Sequence, residues 1–126
     1  MINNDVLRRL RYTFDLSDHK VVSIFALVGI VIDQKTVTSW LKRDEDESFI
    51  ECQDIHLAQF LNGFICEKRG KKEGVEILHE KRLTNNIILK KIAIALNLKS
   101  EDILAIMEIA QMPMSKHELS AFFRKI

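Results

Sequence analysis

The chain has 126 residues, 47% of them apolar and 29% charged, and a formal net charge of +1. That suffices for one domain, or two small halves around a shared core, and excludes a disordered chain. A charge near zero gives no global field for a polyanion, and the longest uncharged run, residues 21–32, falls far short of the ~20 residues a bilayer span requires.

Taken in chain order, helical spacing dominates. Val6, Leu7, Leu10 and Phe14 mark one face of a first helix. Asp18 is the expected N-cap of a second, with Val21, Val22, Ile24, Phe25 and Val28 inward. Asp33 is the expected N-cap of a third, with Val37, Trp40 and Leu41 inward. After the acidic run Asp44-Glu45-Asp46-Glu47, a fourth helix places Leu57, Phe60, Leu61, Phe64 and Ile65 on one stripe. Gly63 inside it costs about 1 kcal/mol relative to alanine, which predicts close approach of another helix. Gly70 suits the C-terminal cap, and Lys68 and Arg69 suit the helix's negative end. Residues 70–83 then turn polar and read as a linker, with Gly74 as a hinge and Val75-Glu76-Ile77 extended.

The chain then repeats itself. Asn3-Asn4-Asp5-Val6-Leu7-Arg8-Arg9-Leu10 returns as Asn85-Asn86-Ile87-Ile88-Leu89-Lys90-Lys91-Ile92, a shift of 82 residues. The same shift lays Leu16 on Leu98, Ile24 on Ile106, Val37 on Leu119 and Trp40-Leu41 on Phe122-Phe123. Ser100 stands where Asp18 does, and Ser115 with Glu118 has the spacing of a capping box for the copy's third helix. The expected fold is all-α: two related repeats, of about four and three helices. Their bounds are residues 1–69 and 84–126, joined by the linker at 70–83. The second copy has no counterpart of the fourth helix before Ile126. Either that helix is shared by both halves, the preferred arrangement, or an apolar face is left for a protein partner or a second copy.

No catalytic constellation emerges. His19, His56, His79 and His117 have no metal-ligand spacing and read as surface residues. Cys52 and Cys66 lack a CxxC partner and read as reduced thiols of a cytoplasmic protein; Cys66, near a helix C-terminus, is a poor nucleophile. The four glycines form no phosphate-binding pattern. Neither cofactor, metal nor small-molecule substrate is expected, and the N-terminus opens on a charged amphipathic pattern without a signal-peptide core.

The nucleic-acid signal is stronger. Residues 22–42 resemble a helix-turn-helix in which Thr36, Thr38, Ser39 and Lys42 meet DNA while Val37 and Trp40 anchor the helix. The turn, however, is longer than that motif's 3–4 residues. Arg8, Arg9 and Arg11 occupy the repeat positions around Lys90 and Lys91; with Lys68, Arg69, Lys71, Lys72, Lys81 and Arg82 they are candidates for one phosphate-following surface. Solvated helix faces and dipole partners are the plainer account of the same residues. Phe14, Phe25, Trp40, Phe60, Phe64, Phe122 and Phe123, at core spacing, are not candidates for base stacking.

The segments from Asn3 to Tyr12, Trp40-Leu41-Lys42, Glu51-Cys52 and Phe60-Leu61-Asn62-Gly63-Phe64-Ile65 with Lys68-Arg69-Gly70-Lys71-Lys72 resemble the YehS-like family, over essentially the whole chain. The resemblance implies a bacterial, soluble, all-helical tandem-repeat protein and brings no activity or catalytic residues with it. The chain departs from that pattern beyond Ile126, where family members continue with another Phe-Leu-Asn-Gly-type helix. The expectation is a non-enzymatic protein binding nucleic acid through basic helix faces. The alternative is a protein-interaction module or homo-oligomer.

Overall fold

The computed structural model describes residues 2–70 and 77–97. Among these residues the chain forms five helices and no strand: α1 (Asn3–Thr13), α2 (Asp18–Ala26), α3 (Gln34–Leu41), α4 (Asp54–Arg69) and α5 (Asn85–Leu96). The remaining helices expected in the second copy, with Ser100, Ser115, Phe122 and Phe123, lie outside the described residues, as do Gly74 and Val75. No helix among the described residues is long and apolar enough to cross a membrane.

The helix starts follow local chemistry, with one correction. Asp33 caps α3, its carboxylate accepting the Lys35 N–H at 3.3 Å. The cap of α2 is Ser17 rather than Asp18: its hydroxyl accepts the Lys20 N–H at 3.0 Å. Asp18 is the first helical residue, and its carboxylate is committed elsewhere, accepting the Thr38 hydroxyl at 2.6 Å and lying 3.5 Å from the Arg11 guanidinium. Ser17→Ala is therefore expected to cost about 1 kcal/mol, read as a lower urea midpoint. At the other end α2 stops at Ala26, so Val28 lies in the following turn, half-buried. That turn passes through Gly29 at φ +75°, a backbone region open to glycine without strain.

The core forms around α4. Leu57, Phe60 and Phe64 are fully buried, as are Val21, Ile24 and Phe25 of α2 and Val37 of α3, with Trp40 almost so. Phe25 lies 5.9 Å from Trp40 and 5.8 Å from Phe60, ring centre to ring centre. The close approach expected at Gly63 is with α2: a Cβ there would lie 2.3 Å from the Ile24 carbonyl oxygen.

Hydrogen bonds set the helix directions. Asn3 Nδ2 donates to Asp54 Oδ1 at 2.6 Å, joining the starts of α1 and α4, and the Phe14 and Phe64 rings meet at 5.3 Å near their ends. The Leu83 N–H donates to Asp54 Oδ2 at 2.9 Å, and Lys91 Nζ donates to Asn62 Oδ1 at 2.6 Å. So α1 and α5 both run alongside α4 in its own direction. Lys20 meets Glu67 while Ile24 meets Gly63, so α2 runs the opposite way. Ile88, Ile92 and Ala95 of α5 join the same hydrophobic cluster as α1–α4. The fourth helix is thus shared between the first copy and the opening helix of the second.

A side-chain clamp organises the loop between α3 and α4. Asn4, with no exposed surface, donates from Nδ2 to the carbonyls of Trp40 and Ile50, both at 2.9 Å, and accepts the Cys52 N–H at 2.9 Å. Asn3 adds a bond to the Cys52 carbonyl at 3.0 Å. The adjacent asparagines thereby tie residues 50–54 to α1 and deliver the chain into α4.

Candidate functional site

The basic residues fall into three groups. Arg8 pairs with Asp44 at 2.8 Å and lies 3.5 Å from Asp5; Arg11 pairs with Asp18; Lys91 pairs with Glu80 at 2.8 Å. These cations are neutralised locally. Lys68 sits over two aromatic faces, 5.2 Å from the Phe14 ring centre and 5.6 Å from that of Phe64, which leaves its charge attracted but not cancelled. Arg9, Arg69, Lys81 and Arg82 are exposed and Lys90 is half-buried. Lys71 and Lys72 lie outside the described residues.

These groups do not converge on one surface. The parallel course of α4 and α5 places Lys81 and Arg82 beside the start of α4, where the Arg82 charge helps to lower the Asp54 pKa. The main cause of that lowering is the hydrogen bond from Asn3, followed by the one from the Leu83 N–H. Lys68 and Arg69 stand at the other end of α4. At 1.5 Å per residue the two groups are roughly 22 Å apart. Lys68 and Arg69 on one side and Lys81 and Arg82 on the other are thus two sites at opposite ends of α4.

The helix-turn-helix reading also changes. Between α2 and α3 lie residues 27–33, more than a 3–4-residue turn accommodates. Ile30 and Ile32 in this stretch pack against the core, which explains its apolar sequence and its length. Thr38 points back to Asp18 and to the Gln34 carbonyl, and Ser39 is buried. Of the polar residues assigned to DNA, Lys42 is exposed and Thr36 half-buried.

Sequence reasoning missed a polar cluster at the α4–α5 seam. Asn62 of α4 is buried; its Oδ1 accepts from Lys91 Nζ, and its Nδ2 lies 3.0 Å from His79 Nδ1 and 3.5 Å from the Leu78 carbonyl. Burial holds the His79 imidazole below the usual histidine value; Glu80 opposes this, and Lys91 adds to it. Burial pushes the Glu80 carboxyl up, but the hydrogen bond and charge of Lys91 outweigh it and leave the pKa lowered. A signal was present: Asn62 stands among positions whose neighbours are all apolar, where an amide demands partners. Their identity depended on residues 78–80 lying against α4 and α5. His56 is likewise half-buried rather than on the surface, against Trp40 at 5.3 Å and with Nδ1 3.3 Å from Gln59 Oε1. His19 is exposed.

Groups suited to catalysis stay apart. Burial, with the charge of Asp54, pushes the Cys52 thiol up to about 12, so it is no nucleophile near neutrality. Cys66 is half-buried, and both cysteines are free. Among the described residues no group of three or more His, Cys, Asp or Glu side chains could hold a metal ion. A shallow hollow beside the end of α3, lined by Leu41, Lys42, Arg43, Glu45 and Asp46, mixes both charges.

The family model described as a protein of unknown function (DUF1456) matches residues 3–70 and 85–126. Its second segment begins at Asn85, the residue that the internal repeat lays on Asn3. The chain is also similar to the uncharacterized protein YehS of Escherichia coli (strain K12): 42% identical over 125 residues, covering 98% of this chain and 80% of the relative. No solved structure matches it.

Proposed function

The chain belongs to the DUF1456 family of proteins of unknown function, and we propose that within it this protein is a non-enzymatic, cytoplasmic binding protein that engages nucleic acid. The contact surface is the basic end of α4. One observation carries this reading. Lys68 and Arg69 are exposed at the end of α4 and meet no carboxylate among the described residues, and Lys71 and Lys72 follow directly in sequence. Four cations within five residues of sequence can follow a phosphate backbone. Arg9 and Lys90 are secondary candidates from the repeat positions. Arg8, Arg11 and Lys91 contribute least because each already has a carboxylate partner.

The test is a salt titration of binding to mixed single- and double-stranded DNA and RNA. Four phosphate contacts on a duplex give a slope of log K against log salt of about −3.6. Changing Lys68, Arg69, Lys71 and Lys72 to alanine is expected to remove most of that slope, whereas changing Lys81 and Arg82 should leave it nearly intact. Binding that ignores salt, or equal losses in both variants, would sink the reading. It would then yield to a protein partner or a second copy of the chain.

A further inference from the structure

We propose that residues 77–83 form an acid-released strap across the α4–α5 seam, with His79 as its trigger and Lys91 as the residue that gives the trigger its sign. The strap is tied at three points: the Leu83 N–H bonds to Asp54 at 2.9 Å, His79 meets Asn62 at 3.0 Å beside the Leu78 carbonyl, and Glu80 pairs with Lys91 at 2.8 Å. Only the second tie involves a group that titrates near neutrality.

The hydrogen bonds at that tie allow one arrangement. The Lys91 ammonium has only hydrogens to give, so the Asn62 atom 2.6 Å away is the oxygen. The Asn62 amide nitrogen therefore faces His79 Nδ1, which must accept, and the imidazole is neutral with its proton on Nε2. A proton added at Nδ1 sets two donors against each other. The amide cannot turn over to relieve this, because its nitrogen would then face Lys91. The charged groups about His79 are Glu80 from its own segment and Lys91 from α5; α4 presents only the neutral Asn62. Lys81 and Arg82, farther along the strap, are exposed.

The direction of the pH effect follows. In the folded chain the His79 pKa is lowered, so the released state binds protons more readily. The strap is fully held above the ordinary histidine value, about pH 6.5, and is progressively lost as pH falls through the lower folded value. This device does not depend on the nucleic-acid reading.

Hydrogen exchange and imidazole 15N spectra on the full chain test it. The spectra should show the Nε2–H tautomer of His79 at neutral pH. Protection of amides 78–80, corrected for intrinsic exchange, should fall about tenfold or more between about pH 7.5 and pH 5. His79→Gln, whose side-chain oxygen accepts at every pH, should keep protection and lose its pH dependence. Lys91→Met frees Asn62 to turn its oxygen toward a protonated His79, and should blunt the acid release. A proton on Nδ1 at neutral pH, pH-independent protection in the unmodified chain, or undiminished acid release in His79→Gln would each overturn the proposal.

Discussion

Gly63→Ala is expected to destabilise the protein by about 3 kcal/mol, although alanine is the better helix former by about 1 kcal/mol. The contest between these effects is decided by what the new methyl group meets. A Cβ at position 63 would lie 2.3 Å from the Ile24 carbonyl oxygen, 2.9 Å from Ile24 Cγ2 and 3.0 Å from its carbonyl carbon. Two of those atoms are backbone, so no rotamer change relieves the overlap, and α2 must move away from α4. The residues that resist this movement, Val21, Ile24 and Phe25 on α2 and Phe60 and Phe64 on α4, are all fully buried. Separating the helices opens gaps along the whole contact, which is the costly response of a close-packed interior. Urea unfolding followed by circular dichroism reads the loss as a lower midpoint. A neutral or stabilising result would mean that α2 and α4 do not cross at Gly63.

Asn4→Leu is expected to cost at least as much, about 3–5 kcal/mol, through a different mechanism. Leucine keeps the branching of the side chain but replaces both polar atoms with bulkier methyl groups, so the loss combines missing hydrogen bonds with overpacking. Three backbone groups lose their partner: the carbonyls of Trp40 and Ile50 and the N–H of Cys52. A buried group left unpaired costs about 1–3 kcal/mol, and partial access of water to the loop keeps the total below a simple sum. The matched control is Asn86→Leu. Asn86 is the repeat counterpart of Asn4 but is exposed, so its replacement should change stability by no more than about 0.5 kcal/mol. Equal losses at the two positions would show that the clamp is not what stabilises the first copy.

The legible part of the fold was its periodic part. Leu57, Phe60, Leu61 and Phe64 announce the buried face of α4 by spacing alone, and Asp33 announces the start of α3, because both depend on residues within one or two turns. Misreadings arose where a nearby alternative or a distant partner decided the outcome. Ser17 and Asp18 are both good caps, and Asp18 was withdrawn from that role by Thr38 and Arg11. The pairs Lys68-Arg69 and Lys81-Arg82 look like parts of one surface in the sequence, yet they stand at opposite ends of α4.

By itself the sequence determined an all-helical chain, the tandem match of its two parts and the need for a close helix contact at Gly63. The tertiary structure alone decided which member of each repeated pair is engaged. Arg8 pairs with Asp44 while its counterpart Lys90 finds no carboxylate among the described residues. Asn4 is buried and Asn86 is not. Helical periodicity arises from neighbours three and four residues apart and repeats wherever the letters repeat. The environment of a polar side chain is set by whichever distant segment crosses it, and the two copies meet different segments.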